Sequence, residues 1–332
     1  MRLNRPASRV AVVLTAALGL STVAACGSGS SGSDAAATST TAAASAALQG
    51  VTATGAVDLK TAPKVTLGKT PISSKDVEHK VLTPGTGKAA TRADTVRLRA
   101  EIYNGTSGKL LDDGFAAGRS PEGYRLARTD IVAGFTEGLV GATKGGRIVF
   151  TIPPAKGFGS AGNQQLGVKG TDTIVVVADI ADVHTPLTKV DGAQKPSPAG
   201  LPTVEFKNGP TKAPTVTVPK TKAPTTTQAV TLVEGSGPTV QKGQTISAQY
   251  HGVLWKDGSV FDSSWQHGQA ADFPIGVGGV IKGWDNSLVG KKVGSRVLLV
   301  IPPKDGYGTA GSPPKISGTD TLVFVVDILD AY

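Results

Sequence analysis

Compared with itself, the chain repeats at a separation of about 150 residues. Leu82-Thr83-Pro84-Gly85-Thr86-Gly87 is answered by Leu232-Val233-Glu234-Gly235-Ser236-Gly237, and Gly134-Phe135 with Gly141 by Gly283-Trp284 with Gly290. Ile152-Pro153-Pro154 and Gly157-Phe158-Gly159 return as Ile301-Pro302-Pro303 and Gly306-Tyr307-Gly308, and Gly170-Thr171-Asp172-Thr173 as Gly318-Thr319-Asp320-Thr321. Self-similarity of this kind means two copies of one domain, at residues 63–185 and 201–332. They are joined by a linker over 186–200, whose part from Lys189 to Gly200 is rich in Pro, Lys and Gly. A chain of 332 residues has room for two such domains and their connections.

Within the second copy, Thr245 to Leu254 alternates with Ile246, Ala248 and Tyr250 on one side, the pattern of a half-buried strand. Lys256-Asp257-Gly258 is a turn signal leading into Ser259-Val260-Phe261-Asp262, which predicts a hairpin. Val297 to Ile301 is an apolar run halted by Pro302-Pro303, and Thr321 to Leu329 reads as another strand. Trp284 and Leu288 are four apart, so a short helix beginning near Gly283 places both on one face. The fold class is therefore α+β: several antiparallel strands and one short helix per copy. Between Lys304 and Thr319 runs a Gly/Pro/Ser-rich connection without a period, and loops this long in a compact domain are usually functional.

Val280-Ile281-Lys282-Gly283-Trp284 lies between Phe273-Pro274-Ile275-Gly276 and Lys304-Asp305-Gly306-Tyr307-Gly308, so aromatic rings flank a large indole on both sides. Trp284 is either the floor of a cavity at a helix start or ordinary core, since aromatic side chains dominate cores. Together with Tyr250-His251-Gly252, Gly258-Ser259-Val260-Phe261-Asp262-Ser263-Ser264 and Thr321-Leu322-Val323-Phe324, these motifs make residues from about 230 to 332 resemble the FKBP-type peptidyl-prolyl cis-trans isomerases. The resemblance implies two tandem FKBP-like domains, each a curved antiparallel sheet wrapped on a short helix with the pocket between them. It implies catalytic roles for Tyr250, Asp262, Trp284 and Tyr307, and a substrate-binding surface from Phe261, Phe273, Val280, Ile281, Ile316 and Phe324. By the same resemblance Trp284 lies under the substrate proline, while the Ile281 N–H and the Tyr307 phenol bond ligand carbonyls. Asp262 orients the phenols or holds the peptide backbone; its alternative reading is a turn-capping aspartate.

Such an activity needs no covalent step, no metal and no cofactor. An Xaa-Pro bond crosses a barrier of about 18–20 kcal/mol because the planar amide is resonance-stabilised. Twisting it destroys the resonance and lowers the dipole, so a dry aromatic pocket that prefers the twisted amide is a catalyst. Lys315 and Ser312 lie in the loop over the pocket where the family often carries apolar or His residues, so ligand specificity is expected to differ. His251 and His267 are expected on the surface.

In the first copy the repeat puts Ala100 for Tyr250, Leu111 for Phe261, Phe135 for Trp284, Phe158 for Tyr307, Val176 for Phe324 and Tyr124 for Phe273, with Asp112 opposite Asp262. The expectation is a degenerate domain of the same fold, with an apolar pocket of different shape, poorer in donors, and weak or absent activity.

Composition narrows the rest. One Cys, at position 26, excludes an intrachain disulfide and a cysteine zinc cluster, and His79, His184, His251 and His267 show no metal spacing. Arg2, Arg5 and Arg9 precede an apolar run from Val10 to Ala25, which reads as a signal peptide over 1–25. Val23-Ala24-Ala25-Cys26-Gly27 resembles the bacterial lipobox, implying lipidation of Cys26 and anchoring to the outer, extracytoplasmic side of the cell membrane; a plain secretory signal is the alternative. Residues 26–62, rich in Ser, Ala, Thr and Gly, are expected to form a disordered tether. Losing residues 1–25 removes three arginines and no acid, lowering the net charge from +9 to +6, and the basic residues form no stripe with stacking aromatics, which argues against nucleic acid.

The leading expectation is a lipid-anchored isomerase acting on unfolded or proline-containing exported polypeptides, with macrolides as further ligands of the family's pocket. The competing readings are a holdase that grips proline segments without turnover and a structural or adhesion protein of the cell surface.

Overall fold

The computed structural model describes residues 46–332. The signal peptide, the lipidation position Cys26 and the first part of the tether lie outside the described residues. The chain divides into two compact units between Thr185 and Pro186.

The first unit contains β1 (Thr52–Thr54), β2 (Lys64–Thr66), β3 (His79–Thr83), β4 (Thr95–Asn104), β5 (Leu110–Asp113), β6 (Glu122–Arg125), α1 (Ala133–Leu139), β7 (Arg147–Ile152) and β8 (Ile174–His184). The second contains β9 (Thr203–Glu205), β10 (Thr215–Thr217), β11 (Gln228–Val233), β12 (Thr245–Leu254), β13 (Val260–Ser263), α2 (Ser264–His267), β14 (Ala271–Pro274), α3 (Lys282–Leu288), β15 (Arg296–Ile301) and β16 (Leu322–Ala331). The main sheets run β3-β7-β8-β4-β5 and β11-β15-β16-β12-β13, with β6 and β14 pairing further along the long strands β4 and β12. Every pairing is antiparallel.

The two sheets share one register. Ala100 faces Ala178 and Ile102 faces both Asp112 and Val176, just as Tyr250 faces Val326 and Gly252 faces both Asp262 and Phe324. Val96 faces Tyr124 as Ile246 faces Phe273. The pairing of positions read from the repeat therefore holds in space.

The expected strand at Thr245–Leu254, its hairpin partner and the helix carrying Trp284 and Leu288 are all present. Gly258, at φ +72°, makes the hairpin turn in a region that favours glycine. A side chain at Gly283 would meet Ile301 at 2.6 Å, so the glycine is what lets α3 lie directly on β15.

Each sheet is buried on both faces, which explains why β16 carries no exposed residue and reads as a near-continuous apolar run. In β16 the residues Phe324, Val326 and Ile328 face the helix side, while Val323 and Val325 face the opposite layer. That opposite layer is the part the sequence reading missed. In the second unit the hairpin β9–β10 and the chain around it put Val204, Phe206, Val216 and Val218 against Leu298, Val300, Val323 and Val325. In the first unit Leu48, Val51, Val65 and Leu67 cover Val149, Val175 and Val177 with the hairpin β1–β2. Each Val or Leu taken fully out of water contributes about 1.5–3 kcal/mol.

Two expected boundaries shift accordingly. The segment read as tether up to residue 62 is ordered from Ala46 onward, because Leu48 and Val51 are fully buried. The stretch 186–200 belongs to the second unit: Leu187 N–H donates to the Leu329 carbonyl at 3.0 Å, Lys195 N–H to Leu232 at 2.7 Å, and Val190 packs on Val233 and Leu329.

Beneath each hairpin lies one buried ion pair. Arg147, at 0% exposure, holds Asp179 at 2.7 Å and donates to the Gly55 and Ala56 carbonyls at 3.0 Å. Arg296 pairs with Asp327 at 2.6 and 2.7 Å, donates to Gln194 at 3.1 Å, and stacks on the Phe206 ring at 3.5 Å.

Candidate functional site

The ten residues singled out in the second copy all line one cavity of about 950 Å³ between the sheet and α3. Tyr250 comes from β12, Phe261 and Asp262 from β13, Phe273 from β14, Trp284 from α3 and Phe324 from β16. Val280 and Ile281 lead into α3, Tyr307 follows β15, and Ile316 sits in the loop before β16.

Trp284, 3% exposed, is the hub. Its ring centroid lies 4.9 Å from Phe273, 5.2 Å from Phe324 and 5.7 Å from Tyr250, with interplanar angles of 65°, 82° and 81°. Phe261 meets Phe324 at 5.3 Å and 88°, and Tyr250 meets Phe273 at 5.6 Å and 75°. Edge-to-face contacts of this kind contribute about 0.5–1.5 kcal/mol each beyond the burial of area, so the floor is stiff. The indole Nε1–H is buried without a hydrogen-bond partner.

Two polar features stand over this floor. Ile281 is the N-cap residue of α3, its carbonyl accepting from the Trp284 and Asp285 N–H groups, while its own N–H has no acceptor among the described residues and is left as a donor for an incoming carbonyl. The Tyr250 hydroxyl donates to Asp262 Oδ2 at 2.7 Å; burial and then the Asp262 carboxylate push this phenol above its ordinary range. Asp262 Oδ1 accepts from the Ser263 N–H at 2.9 Å and faces His267 Nε2 at 3.6 Å. Asp262 therefore holds one phenol and the adjacent Ser263 N–H. Tyr307 stands at the rim, 43% exposed, with its phenol also raised by burial and then by the Asp262 charge.

Several lining groups were not among the expected site residues. Gly278 and Gly279 form a loop pinned by Asp285, whose carboxylate accepts the N–H groups of Gly276 at 2.8 Å and Gly278 at 2.5 Å. Gly306, Lys282, Pro313 and Pro314 complete the wall. The run Gly276-Val277-Gly278-Gly279 was the available signal for the first of these, since glycines let a backbone approach a ligand closely. Ser312 and Ile316 exchange backbone bonds at 2.8 and 3.0 Å and close the loop above the cavity.

The histidines divide. His267 is exposed at the mouth, but His251, expected on the surface, is 6% exposed on the opposite face of β12. Strand alternation beside the inward-facing Tyr250 requires this orientation. Its Nδ1 sits 3.1 Å from Ser263 Oγ, and burial lowers its affinity for a proton.

In the first unit the corresponding space has shrunk to about 10 Å³, room for roughly one water. The expectation of an apolar pocket poor in donors is corrected here. Arg119, in the loop between β5 and β6, reaches in and pairs with Asp112 at 2.7 Å and Glu122 at 2.6 Å, and also donates to the Asp113 carbonyl at 3.0 Å. The Tyr124 hydroxyl donates to Glu122 at 2.7 Å, and its ring lies 4.7 Å from Phe135, the residue at the Trp284 position, tilted at 54° to it. The small Ala100 leaves space that a charged side chain fills. Burial, then the Glu122 charge, pushes the Tyr124 phenol well up.

Comparison with known proteins agrees with this geometry. The sequence profile described as FKBP-type peptidyl-prolyl cis-trans isomerase matches residues 86–176 and 237–329, together more than half of the chain. Peptidyl-prolyl cis-trans isomerase FKBP15-2 of Arabidopsis thaliana is 50% identical over 88 residues, covering 26% of this chain and 53% of the plant protein. FK506-binding protein of Streptomyces anulatus is 44% identical over 90 residues, 27% of this chain and 73% of that protein. Human peptidyl-prolyl cis-trans isomerase FKBP9 is 24% identical over 262 residues, 78% of this chain and 39% of the human protein. The chain thus spans about half the length of the curated relatives it matches. Two matches of the profile, two sheets in one register and a ring-lined cavity in the second unit agree: the chain belongs to the FKBP-type peptidyl-prolyl cis-trans isomerase family, with two of its domains in tandem.

Proposed function

We propose that the second unit catalyses cis-trans rotation about Xaa-Pro bonds and that the first does not. The observation that carries this reading is the open ring-lined cavity over Trp284 beside the closed, ion-paired space at the same place in the first unit.

The pyrrolidine ring sits on the Trp284 indole, walled by Tyr250, Phe273 and Phe324. The Ile281 N–H takes a carbonyl of the bound peptide, and the Tyr307 phenol, free to reorient at the rim, takes a second. Neither group transfers a proton. As the amide twists, its conjugation is lost, its nitrogen becomes pyramidal and its dipole falls, so a dry apolar cavity holds the twisted form better than the planar one. Each 1.36 kcal/mol of that preference is about tenfold in rate. Asp262 fixes the Tyr250 ring, and with it the cavity wall, by accepting its hydroxyl proton in a hydrogen bond.

By likeness to the Streptomyces anulatus FK506-binding protein, the same cavity accepts a macrolide such as FK506. The clients we propose are unfolded or proline-containing exported polypeptides, met outside the membrane by a protein held there through lipid on Cys26. Uncatalysed prolyl exchange takes tens of seconds, slow enough for a catalyst to matter.

The test is isomerisation of Leu-Pro tetrapeptides by the full chain and by Trp284→Leu. Catalysis in the parent that is lost in the variant supports the reading; a parent with no catalysis overturns it, and peptide binding without turnover makes the protein a holdase.

A further inference from the structure

The floor and walls of the second-unit cavity are aromatic, yet two lysines are among its lining residues, Lys282 and Lys315. Lys315 is the better placed. Its Nζ donates to the Phe261 carbonyl at 2.8 Å, a bond that carries the loop 312–316 across to β13. The acceptor is available because the β12–β13 ladder bulges there: Gly252 faces Asp262 but Val253 faces Val260, leaving Phe261 out of register. One of three N–H groups is used in this way, and two remain to donate.

Neither lysine has a carboxylate partner among the described residues. The one acid lining the cavity, Asp262, is engaged by the Tyr250 hydroxyl, the Ser263 N–H and the nearby His267. Two cations and one internally satisfied anion leave the mouth net positive, which concentrates negative groups there.

The first unit serves as an internal control. There the bridge between Asn163 and Val168 replaces that between Ser312 and Ile316, and it encloses Gln164, Gln165, Leu166 and Gly167, with Leu166 packed on the core. The loop thus closes without a lysine, so a cation at 315 is not a requirement of the fold.

A residue preceding proline is held extended, so its side chain runs away from the pyrrolidine ring. With that ring on Trp284, the side chain falls at the rim, where Lys315 stands above Phe261. We propose that Lys315 determines specificity, favouring Xaa-Pro bonds in which the residue before proline is Glu or Asp. The proposal rests on the isomerase reading above.

The experiment measures kcat/KM of the full chain on tetrapeptides that differ only in having Glu, Leu or Lys before proline. The comparison is with Lys315→Met, Lys315→Arg and Lys315→Glu, each at low and high salt. The expected Glu-to-Lys preference in the parent shrinks about two- to fivefold in Lys315→Met, the range of an ion pair at an exposed rim. It is kept in Lys315→Arg, reverses in Lys315→Glu, and fades as ionic strength rises. A loss of rate that is equal for all three peptides would mean that Lys315 only ties down the loop, and would overturn the proposal while leaving the isomerase intact. No catalysis on any peptide removes the isomerase reading and this inference together.

Discussion

At the place where the second unit sets Tyr250 and Trp284, the first sets Ala100 and Phe135, and the outcomes are opposite in kind. Large rings that meet edge to face prop the second cavity open at about 950 Å³. Smaller residues do not widen the first. They create a void beside Tyr124, the counterpart of Phe273, that Arg119 and its carboxylate partners occupy, leaving about 10 Å³. A native interior tolerates few voids, so removing rings from a ring-lined site invites a filler, and here the filler is a hydrogen-bonded charge cluster. The carboxylate common to both sites shows the change of role. Asp262 holds a phenol against the cavity wall, whereas Asp112 anchors the guanidinium that fills the space.

The largest expected effects test whether the two frames are equivalent beneath that difference. Arg147→Met and Arg296→Met each strand a buried aspartate, and each lowers the stability of its own unit by about 3–5 kcal/mol in denaturant melts. A negligible loss in one would show that the back layers are not alike. Next, Trp284→Leu in the full chain removes three ring contacts of about 1 kcal/mol each and cuts isomerisation about a hundredfold. A remaining rate of a third or more would assign activity to the first unit and break the contrast.

Arg119→Ala takes from Asp112 and Glu122 the cation they share. It destabilises the first unit by about 1–3 kcal/mol, held down because Glu122 is partly exposed. FK506 binding by a full-chain Trp284→Leu, Arg119→Ala double variant would show instead that the plug hides a working pocket. Tyr250→Phe removes one hydrogen bond to Asp262, costing about 0.5–1.5 kcal/mol, and slows turnover about two- to tenfold.

The last contrast is silent at neutral pH. Asp94 is buried, which opposes its ionisation, but Lys88, Thr185 and Thr91 all donate to it and hold its pKa far below the usual carboxylate range. A depressed carboxylate contributes stability above its unfolded pKa of about 3.9, and that stability drains away as the pH falls below this value. The second unit has Gln244 at this position, bonded to the Gln241 N–H at 2.7 Å. Acid melts are expected to loosen the first unit ahead of the second below about pH 4; Asp94→Asn should abolish the difference that this site makes.

The front of each unit was legible in the sequence because its signals are strong ones. Alternation marked Thr245–Leu254, the turn at Gly258 marked the hairpin, and separated motifs gathered ten residues that do line one cavity. The back layer was not legible. β1, β2, β9 and β10 are three residues each, have both end residues exposed, and turn only the middle side chain inward, so no window shows a period. Arg119 was missed for a related reason: a single arginine in a loop gives no sign that it will turn inward, and the pull comes from a void formed by residues distant in sequence. α2, at four residues, is below the length at which helical spacing can be read.

The hairpin layer has a practical corollary. The family profile begins at residue 86 in one unit and at 237 in the other, beyond the segments that shield the reverse side of each sheet. Protein started at those positions would present Val149, Val175 and Val177, or Leu298, Val300, Val323 and Val325, to solvent as a greasy band with a bared arginine–aspartate pair at its margin. Fragments started at Ala46 and Pro186 keep their coats, and should stay dispersed at concentrations where the trimmed versions precipitate.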